Sequence, residues 1–184
     1  MLRNIYHGAE TESGLHLASE NGHVDIVKML IRNGADVNAA TKKKWTAIHF
    51  AACKGHDDVV EVLIQNGADI KALADVVVPW TNNMSALNFA AWCGHIDVVA
   101  RLLQNGADVN ATDKMQKTAL HWALLGLKKH FDVAKFLIHN GADVNAQDEE
   151  DYTALHFMLD MSFEGFTSVG NIDFLKFLIQ NGAD

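Results

Sequence analysis

The sequence predicts an all-α solenoid of five stacked helix-turn-helix units. Two motifs support this prediction, because each recurs five times in the same order along the chain. Copies of the tetrapeptide Asn-Gly-Ala-Asp are separated by 33, 39, 35 and 41 residues, which fits a base repeat of 33 residues with insertions of 0, 6, 2 and 8 residues. The copies begin at Asn33, Asn66, Asn105, Asn140 and Asn181.

The second motif is a serine or threonine followed by a small residue, an aliphatic residue and usually a histidine. A hydroxyl in this place can accept a hydrogen bond from an otherwise unpaired amide in the first turn of a helix, so it predicts an N-cap. The predicted caps are Ser13, Thr46, Ser85, Thr118 and Thr153.

The residues after each cap predict two short helices. Small residues such as Ala51-Ala52 in the first helix allow a neighbouring helix to approach closely, and a Gly-His turn follows. The second helix carries an aspartate such as Asp97 in its first turn, where a carboxylate suits the positive end of the helix. Apolar pairs spaced three to four residues apart, such as Val98-Val99 and Leu102-Leu103, predict its core face. A glycine such as Gly106 ends it in a left-handed cap.

These helices are too short to fold singly. A face of about three turns gains too little to offset an ordering cost of roughly 1.5 kcal/mol per residue, so each unit must bury its apolar side against the next. We therefore expect one domain over residues 1–184. Its approximate repeats are 11–38, 39–71, 72–110, 111–145 and 146–184.

Composition narrows the class of protein. With 15 Lys and Arg against 23 Asp and Glu, the net charge of −8 repels a phosphate backbone and disfavours nucleic acid as the main partner. No apolar stretch approaches 18 residues, and the first ten residues lack the apolar core of a signal peptide, so neither a membrane span nor a leader is predicted. The two cysteines form no Cys-x-x-Cys pair, which favours a reducing intracellular location such as the cytoplasm.

The ten histidines raise the question of a metal or catalytic site. Eight of them occupy fixed repeat positions, where we interpret them as hydrogen-bonding struts between units, and only His7 and His139 are left over. No ligand set at metal spacing, no serine elbow and no phosphate-binding loop is present, so we predict no metal, no cofactor and no enzymatic activity. Cys53 and Cys93 are expected to be free thiols near the ends of successive first helices.

The repeats resemble the ankyrin repeat, whose sequence contains Thr-Pro-Leu-His-x-Ala-Ala, then Gly-His, then Gly-Ala-Asp-Val-Asn. The resemblance covers residues 11–184, although the proline is replaced in every unit. It implies short β-hairpin fingers near residues 37–45, 70–84, 109–117 and 144–152, numbered second to fifth after the repeats whose first helices they precede, and a protein-binding function. The glycine of the finger turn is replaced as well, so less ideal hairpins are expected. The replacing residues are Lys44, Asn83, Gln116 and Asp151.

The resemblance also implies a binding surface, a concave groove lined by the finger tips and the last residues of the first helices. Tryptophan and tyrosine in such positions are typical of interface hot spots. For Trp45 and Trp92 the alternative is packing against neighbouring fingers or helices, and the apolar tip of the third finger, 76–80, either folds back or anchors a partner. The predicted binding residues are Lys42, Lys43, Lys44, Trp45, Trp80, Met84, Trp92, Lys114, Met115, Lys117, Glu149, Glu150 and Tyr152.

Two further expectations concern this surface. Trp122 takes the apolar position after the histidine of its repeat, which predicts that it packs in the core. Charge varies along the groove, basic at 42–44 and acidic at 148–151, so a partner of opposite polarity along its length would be oriented by it.

The predicted function is therefore that of a protein–protein interaction module, acting as an adaptor or an inhibitor. The alternative is a targeting segment of a larger effector or enzyme whose active domain lies outside the chain, for example an effector secreted into a host-cell cytosol. A purely structural spacer is disfavoured by the aromatic residues. The apolar helix before Asp184 suggests a piece of a longer array or, second, end-to-end association of a protein that is otherwise monomeric.

Overall fold

The computed structural model describes residues 12–75, 83–125, 129–159 and 169–184. Within them, short helices follow one another in pairs, and one small antiparallel sheet pairs Leu73 with Ser85 and Ala74 with Met84. The helical solenoid predicted from the sequence is confirmed. The elements are α1 (Gly14–Glu20), α2 (Val24–Arg32), α3 (Ala47–Lys54), α4 (Asp57–Gln65), β1 (Leu73–Ala74), β2 (Met84–Ser85), α5 (Ala86–Cys93), α6 (Ile96–Gln104), α7 (Ala119–Leu124), α8 (Phe131–His139), α9 (Ala154–Leu159) and α10 (Val169–Gln180).

The helices form two rows. The first helices α1, α3, α5, α7 and α9 pack against one another in chain order, and the second helices α2, α4, α6 and α8 do the same. Aromatic stacking joins α8 to α10, because the ring of Phe131 lies on that of Phe174 with 4.6 Å between the centroids. The hydrophobic core runs continuously between the rows, as expected for units that bury their faces only against neighbours.

The two leucines predicted on the core face of α6 are buried to different degrees. Leu102 is fully buried, whereas Leu103 is only partly buried at the edge of the core. Leu102 and Leu103 are 100° apart around the helix, so only one of the two can point straight between the rows. Leu102 therefore lies at the centre of the core face of α6, and Leu103 packs against the core at its edge.

One histidine in the first helix joins two repeats. The Thr46 backbone N–H donates to Nδ1 of His49 at 3.2 Å, which closes the N-cap of α3. Nε2 of the same ring donates to the carbonyl oxygen of Ala72, in the next finger, at 3.0 Å. His16 and His121 make the corresponding bonds to the carbonyl oxygens of Ala39 and Tyr152. These bonds confirm the predicted strut.

A second row of histidines ties neighbouring turns together. Nε2 of His56 donates to the carbonyl oxygen of Glu20 at 3.0 Å, and Nε2 of His95 donates to that of Cys53 at 3.1 Å. The His95 ring lies so close to Gly55 that a Cβ there would sit 2.5 Å from Nδ1, and Gly55 has a φ of +80°. Glycine is therefore required in this turn for space as well as for backbone conformation.

Asn88 stands where the four other copies of the N-cap motif have histidine. Its Oδ1 accepts hydrogen bonds from the backbone N–H and the hydroxyl of Ser85, so the helix cap is kept. Its Nδ2 is buried and, within the described part of the chain, has no hydrogen-bond partner. A buried amide without a partner costs stability.

We therefore expect Asn88→His to raise the free energy of unfolding by about 1 kcal/mol, because Nε2 would regain a bond to the next finger. Urea unfolding followed by circular dichroism measures the change. The reciprocal variant His49→Asn is the control and should lose a similar amount. A destabilised Asn88→His protein would contradict this interpretation.

None of the helices in the described ranges is long and apolar enough to cross a membrane.

Candidate functional site

The predicted fingers are closed by backbone hydrogen bonds. Thr41 N–H donates to the Trp45 carbonyl at 2.9 Å, and Asp113 and Asp148 make the same bond to Lys117 and Tyr152 at 3.0 Å. The residues that replace glycine still adopt left-handed conformations, so the hairpins keep the turn that glycine would provide, at a backbone cost of roughly 1–2 kcal/mol each. Their φ values are 61° at Lys44, 65° at Asn83, 57° at Gln116 and 62° at Asp151.

Successive fingers are also joined at their tips. The Asp75 N–H donates to the Lys43 carbonyl at 2.8 Å, and the Glu149 N–H donates to the Met115 carbonyl at 2.9 Å. The side chains at the tips therefore project from a backbone that is tied to the next repeat. Among the predicted binding residues, Lys42, Lys44, Lys114, Glu149 and Glu150 are exposed there, while Lys43 and Met115 are partly buried.

Two buried aspartates hold the fourth and fifth fingers in shape. Oδ1 of Asp113 accepts from the backbone N–H groups of Met115 and Lys117, at 2.9 and 2.8 Å. Oδ1 of Asp148 accepts in the same way from Glu150 and Tyr152, at 2.9 and 3.0 Å. In each case the carboxylate satisfies the amides that the tight turn leaves unpaired.

The environments of these two carboxyl groups shift their pKa values in opposite directions. Burial raises the pKa of Asp113, although backbone N–H donors oppose it. Burial would also raise the pKa of Asp148, but the Lys117 ammonium and two backbone N–H groups outweigh it, so that this pKa is lowered. Because Lys117 and Asp148 neutralise each other, Asp148 does not add to the predicted acidic end, and the predicted binding residue Lys117 is engaged within the fingers. The Lys117 side chain, 14% exposed, links its own finger to the finger that carries Asp148.

Trp45 and Met84 are not on the surface. Trp45 is 2% exposed. The centroid of its ring lies 4.5 Å from that of Phe89 and 5.0 Å from that of Phe50. Its Nε1–H donates to the Asp75 carbonyl oxygen at 2.8 Å. Met84 is fully buried in β2. The prediction that both face a partner is wrong. The left-handed residue Lys44 turns the chain back toward α3, so the following side chain points into the gap between α3 and α5.

Trp92 occupies an intermediate position. It lies near the end of α5, is partly buried, and its ring centroid is 5.7 Å from that of Trp122. Trp122 is 3% exposed and its Nε1 donates to Oδ2 of Asp113 at 3.1 Å, which confirms the prediction that it packs in the core. Through Trp122 and Asp113, Trp92 is thus linked to the finger that carries Met115.

Tyr152 is the exposed aromatic residue of the fifth finger. It is 40% exposed, and its ring packs at 5.4 Å from that of His156 and at 5.8 Å from that of Phe157. We use the term finger face for the predicted binding residues that keep exposed area on the fingers and first helices, except Lys117, which is paired with Asp148. It consists of Lys42, Lys43, Lys44, Trp92, Lys114, Met115, Glu149, Glu150 and Tyr152. The predicted residue Trp80 lies outside the described residues.

The two ends of the finger face carry opposite charges. Lys42 and Lys44 are exposed at one end, where the Lys44 ammonium lies 3.2 Å from a carboxylate oxygen of Asp75. Glu149 and Glu150 are exposed at the other. The predicted division of charge therefore remains even when Asp148 and Lys117, which neutralise each other, are left out.

Sequence reasoning missed the residues that build the fingers. Thr41, Asp113 and Asp148 each lie five residues before the N-cap of the next helix, and each accepts a hydrogen bond from the backbone of its finger. This constant spacing is a signal that the sequence contains. It separates the residues that shape a finger from acidic residues, such as Glu149 and Glu150, that face solvent.

In the ranges that the structure describes, no three His, Cys, Asp or Glu side chains converge in a way that could hold a metal ion.

Comparison with known proteins agrees with this architecture. A family model described as ankyrin repeats (3 copies) matches residues 2–74 and 72–148. No curated protein sequence matches the chain significantly. Since the matched segments cover more than half of the chain and coincide with stacked helix pairs joined through their fingers, the chain belongs to the ankyrin repeat family.

Proposed function

We propose that this chain binds a partner protein through the finger face. Ankyrin repeats are generally protein–protein interaction modules. The observation that carries the proposal is the placement of Trp92, whose partly exposed indole rests on the buried Trp122 ring. An aromatic group fixed in this way loses little conformational freedom on binding and offers a large apolar contact area.

Further contacts extend from this anchor along the fingers. Met115 and Tyr152 supply apolar area in the fourth and fifth fingers, and their backbones are joined to the same hydrogen-bonded row of tips. Because Met115 N–H is held by Asp113, which also accepts from Trp122, the anchor and the fingers form one ordered surface. Such order before binding lowers the entropic cost of association.

The charge division indicates the polarity of the partner. A partner segment that is acidic beside Lys42 and Lys44 and basic beside Glu149 and Glu150 would be oriented along the finger face. Exposed charges of this kind contribute mainly to the rate and direction of association, and less to affinity.

Trp92→Ala is expected to weaken partner binding by about 2 kcal/mol, which is roughly a 30-fold rise in Kd. Proteins retained by the immobilised wild-type chain would be identified by mass spectrometry, and the Kd of each purified candidate then measured by calorimetry. The expected result is that the immobilised Trp92→Ala chain no longer retains the partner and that its Kd for the partner is higher.

The matched control is Met29→Ala, which removes another apolar side chain, 53% exposed on the second helix α2 and outside the finger face. It should leave Kd unchanged. Both variants need urea midpoints close to that of the wild type for a valid comparison. Equal Kd values for wild type and a folded Trp92→Ala protein would remove Trp92 from the interface and with it the main support for this function.

A further inference from the structure

The two cysteines of the chain lie side by side across the boundary between two repeats. Cys53 is the penultimate residue of α3 and Cys93 is the last residue of α5, yet their Sγ atoms are only 3.3 Å apart. Both are in the thiol form, without a disulfide, and they are the only cysteines in the sequence.

Their backbones are held together independently of the sulfur atoms. Nε2 of His95, two residues after Cys93, donates to the carbonyl oxygen of Cys53 itself at 3.1 Å. Helices α3 and α5 pack closely along their length, and the His95 ring fills the space above Gly55. The proximity of the thiols is therefore built into the junction between the two repeats.

We propose that Cys53 and Cys93 form a redox modification site, which a small-molecule disulfide such as glutathione disulfide converts to an intramolecular disulfide linking the second and third helix pairs. A disulfide has an S–S distance of about 2.05 Å, so the two sulfur atoms need to approach by about 1.3 Å. Rotation about the two Cα–Cβ bonds moves the sulfur atoms over such distances. This inference does not depend on the proposed binding function.

The different exposure of the two thiols assigns their roles. Cys93 is partly exposed and is the thiol that a small disulfide can reach, whereas Cys53 is 2% exposed. The Cys93 thiol loses its proton to water and its thiolate attacks one sulfur atom of the small disulfide, giving a mixed disulfide and releasing one small thiolate. The Cys53 thiol then loses its proton and attacks Sγ of Cys93, which releases the second. Two protein thiols are oxidised, and one small disulfide is reduced to two thiols.

The first step is expected to be slow. Contact with Cys53 and burial raise the pKa of the Cys93 thiol, so little thiolate is present near neutral pH. The second step needs no access from solvent, because Cys53 is already in contact with the sulfur atom that it attacks.

The test uses the full chain, first reduced and then incubated for hours with excess glutathione disulfide. The expected product is a monomer that has lost about 2 Da and whose count of reactive thiols has fallen from two to zero. Its urea midpoint should be higher than that of the reduced chain, because the new bond restricts the unfolded state, and a reductant should reverse the shift.

Two single variants test the roles assigned to the two thiols. Cys53→Ala keeps the reachable thiol and should stop at a stable glutathione adduct, whereas Cys93→Ala keeps only the buried thiol and should stay unmodified in the folded state. The proposal is overturned if the wild-type chain retains both thiols, retains a glutathione adduct, or forms a disulfide-linked dimer under these conditions.

Discussion

Trp45→Ala is expected to lower the free energy of unfolding by about 3–5 kcal/mol, the cost of removing a large aromatic side chain from a packed core. The indole is 2% exposed and contacts the rings of Phe50 and Phe89, so its removal opens a cavity between α3 and α5. It also leaves the Asp75 carbonyl without the Nε1–H donor. Urea unfolding at equilibrium measures the loss.

Trp92→Ala is the matched control, since it removes the same side chain from a partly exposed position. The free energy of unfolding should fall clearly less in this variant than in Trp45→Ala. The contrast separates a tryptophan that is sealed between two helices from one that keeps exposed area. If Trp45→Ala cost less than about 1 kcal/mol, the burial of its indole would be contradicted.

The stability of the protein is expected to fall steeply between about pH 6.5 and pH 4. Burial lowers the pKa of His49 from 6.5 to about 4 in the folded chain, although its bond to the Ala72 carbonyl opposes the shift. In this range the unfolded chain binds a proton at His49 and the folded chain does not, so falling pH favours unfolding. Over the whole window this one residue accounts for roughly 3 kcal/mol.

Urea unfolding at intervals between about pH 7 and pH 4.5 tests this expectation. Burial also lowers the pKa values of His95 and His121, which adds to the loss in the same direction. His49→Asn isolates the contribution of one ring, because Asn88 shows that asparagine keeps the cap in this position. The variant should be less stable at neutral pH and lose less on acidification. Parallel curves for variant and wild type would contradict the assignment to His49.

The candidate site was only partly predictable from the sequence. Repeat alignment placed Trp45, Trp92 and Tyr152 at finger or helix-end positions, but it could not tell which way each side chain points. The direction depends on the left-handed turn at Lys44 and on the aromatic neighbours in the next repeat. Charge reasoning had the same limit, because Asp148 and Lys117 are 31 residues apart and only the stacked fingers bring them into contact.

The sequence by itself determined the helical solenoid, the hydroxyl caps and the glycine helix ends, because these depend on spacings of a few residues and recur in each repeat. Only the tertiary structure decided that Trp45 is buried and Trp92 partly exposed, that Lys117 neutralises Asp148, and that Cys53 meets Cys93. Each of these contacts crosses a boundary between repeats. Such contacts depend on how variable side chains fit between neighbouring units, which local spacing does not specify.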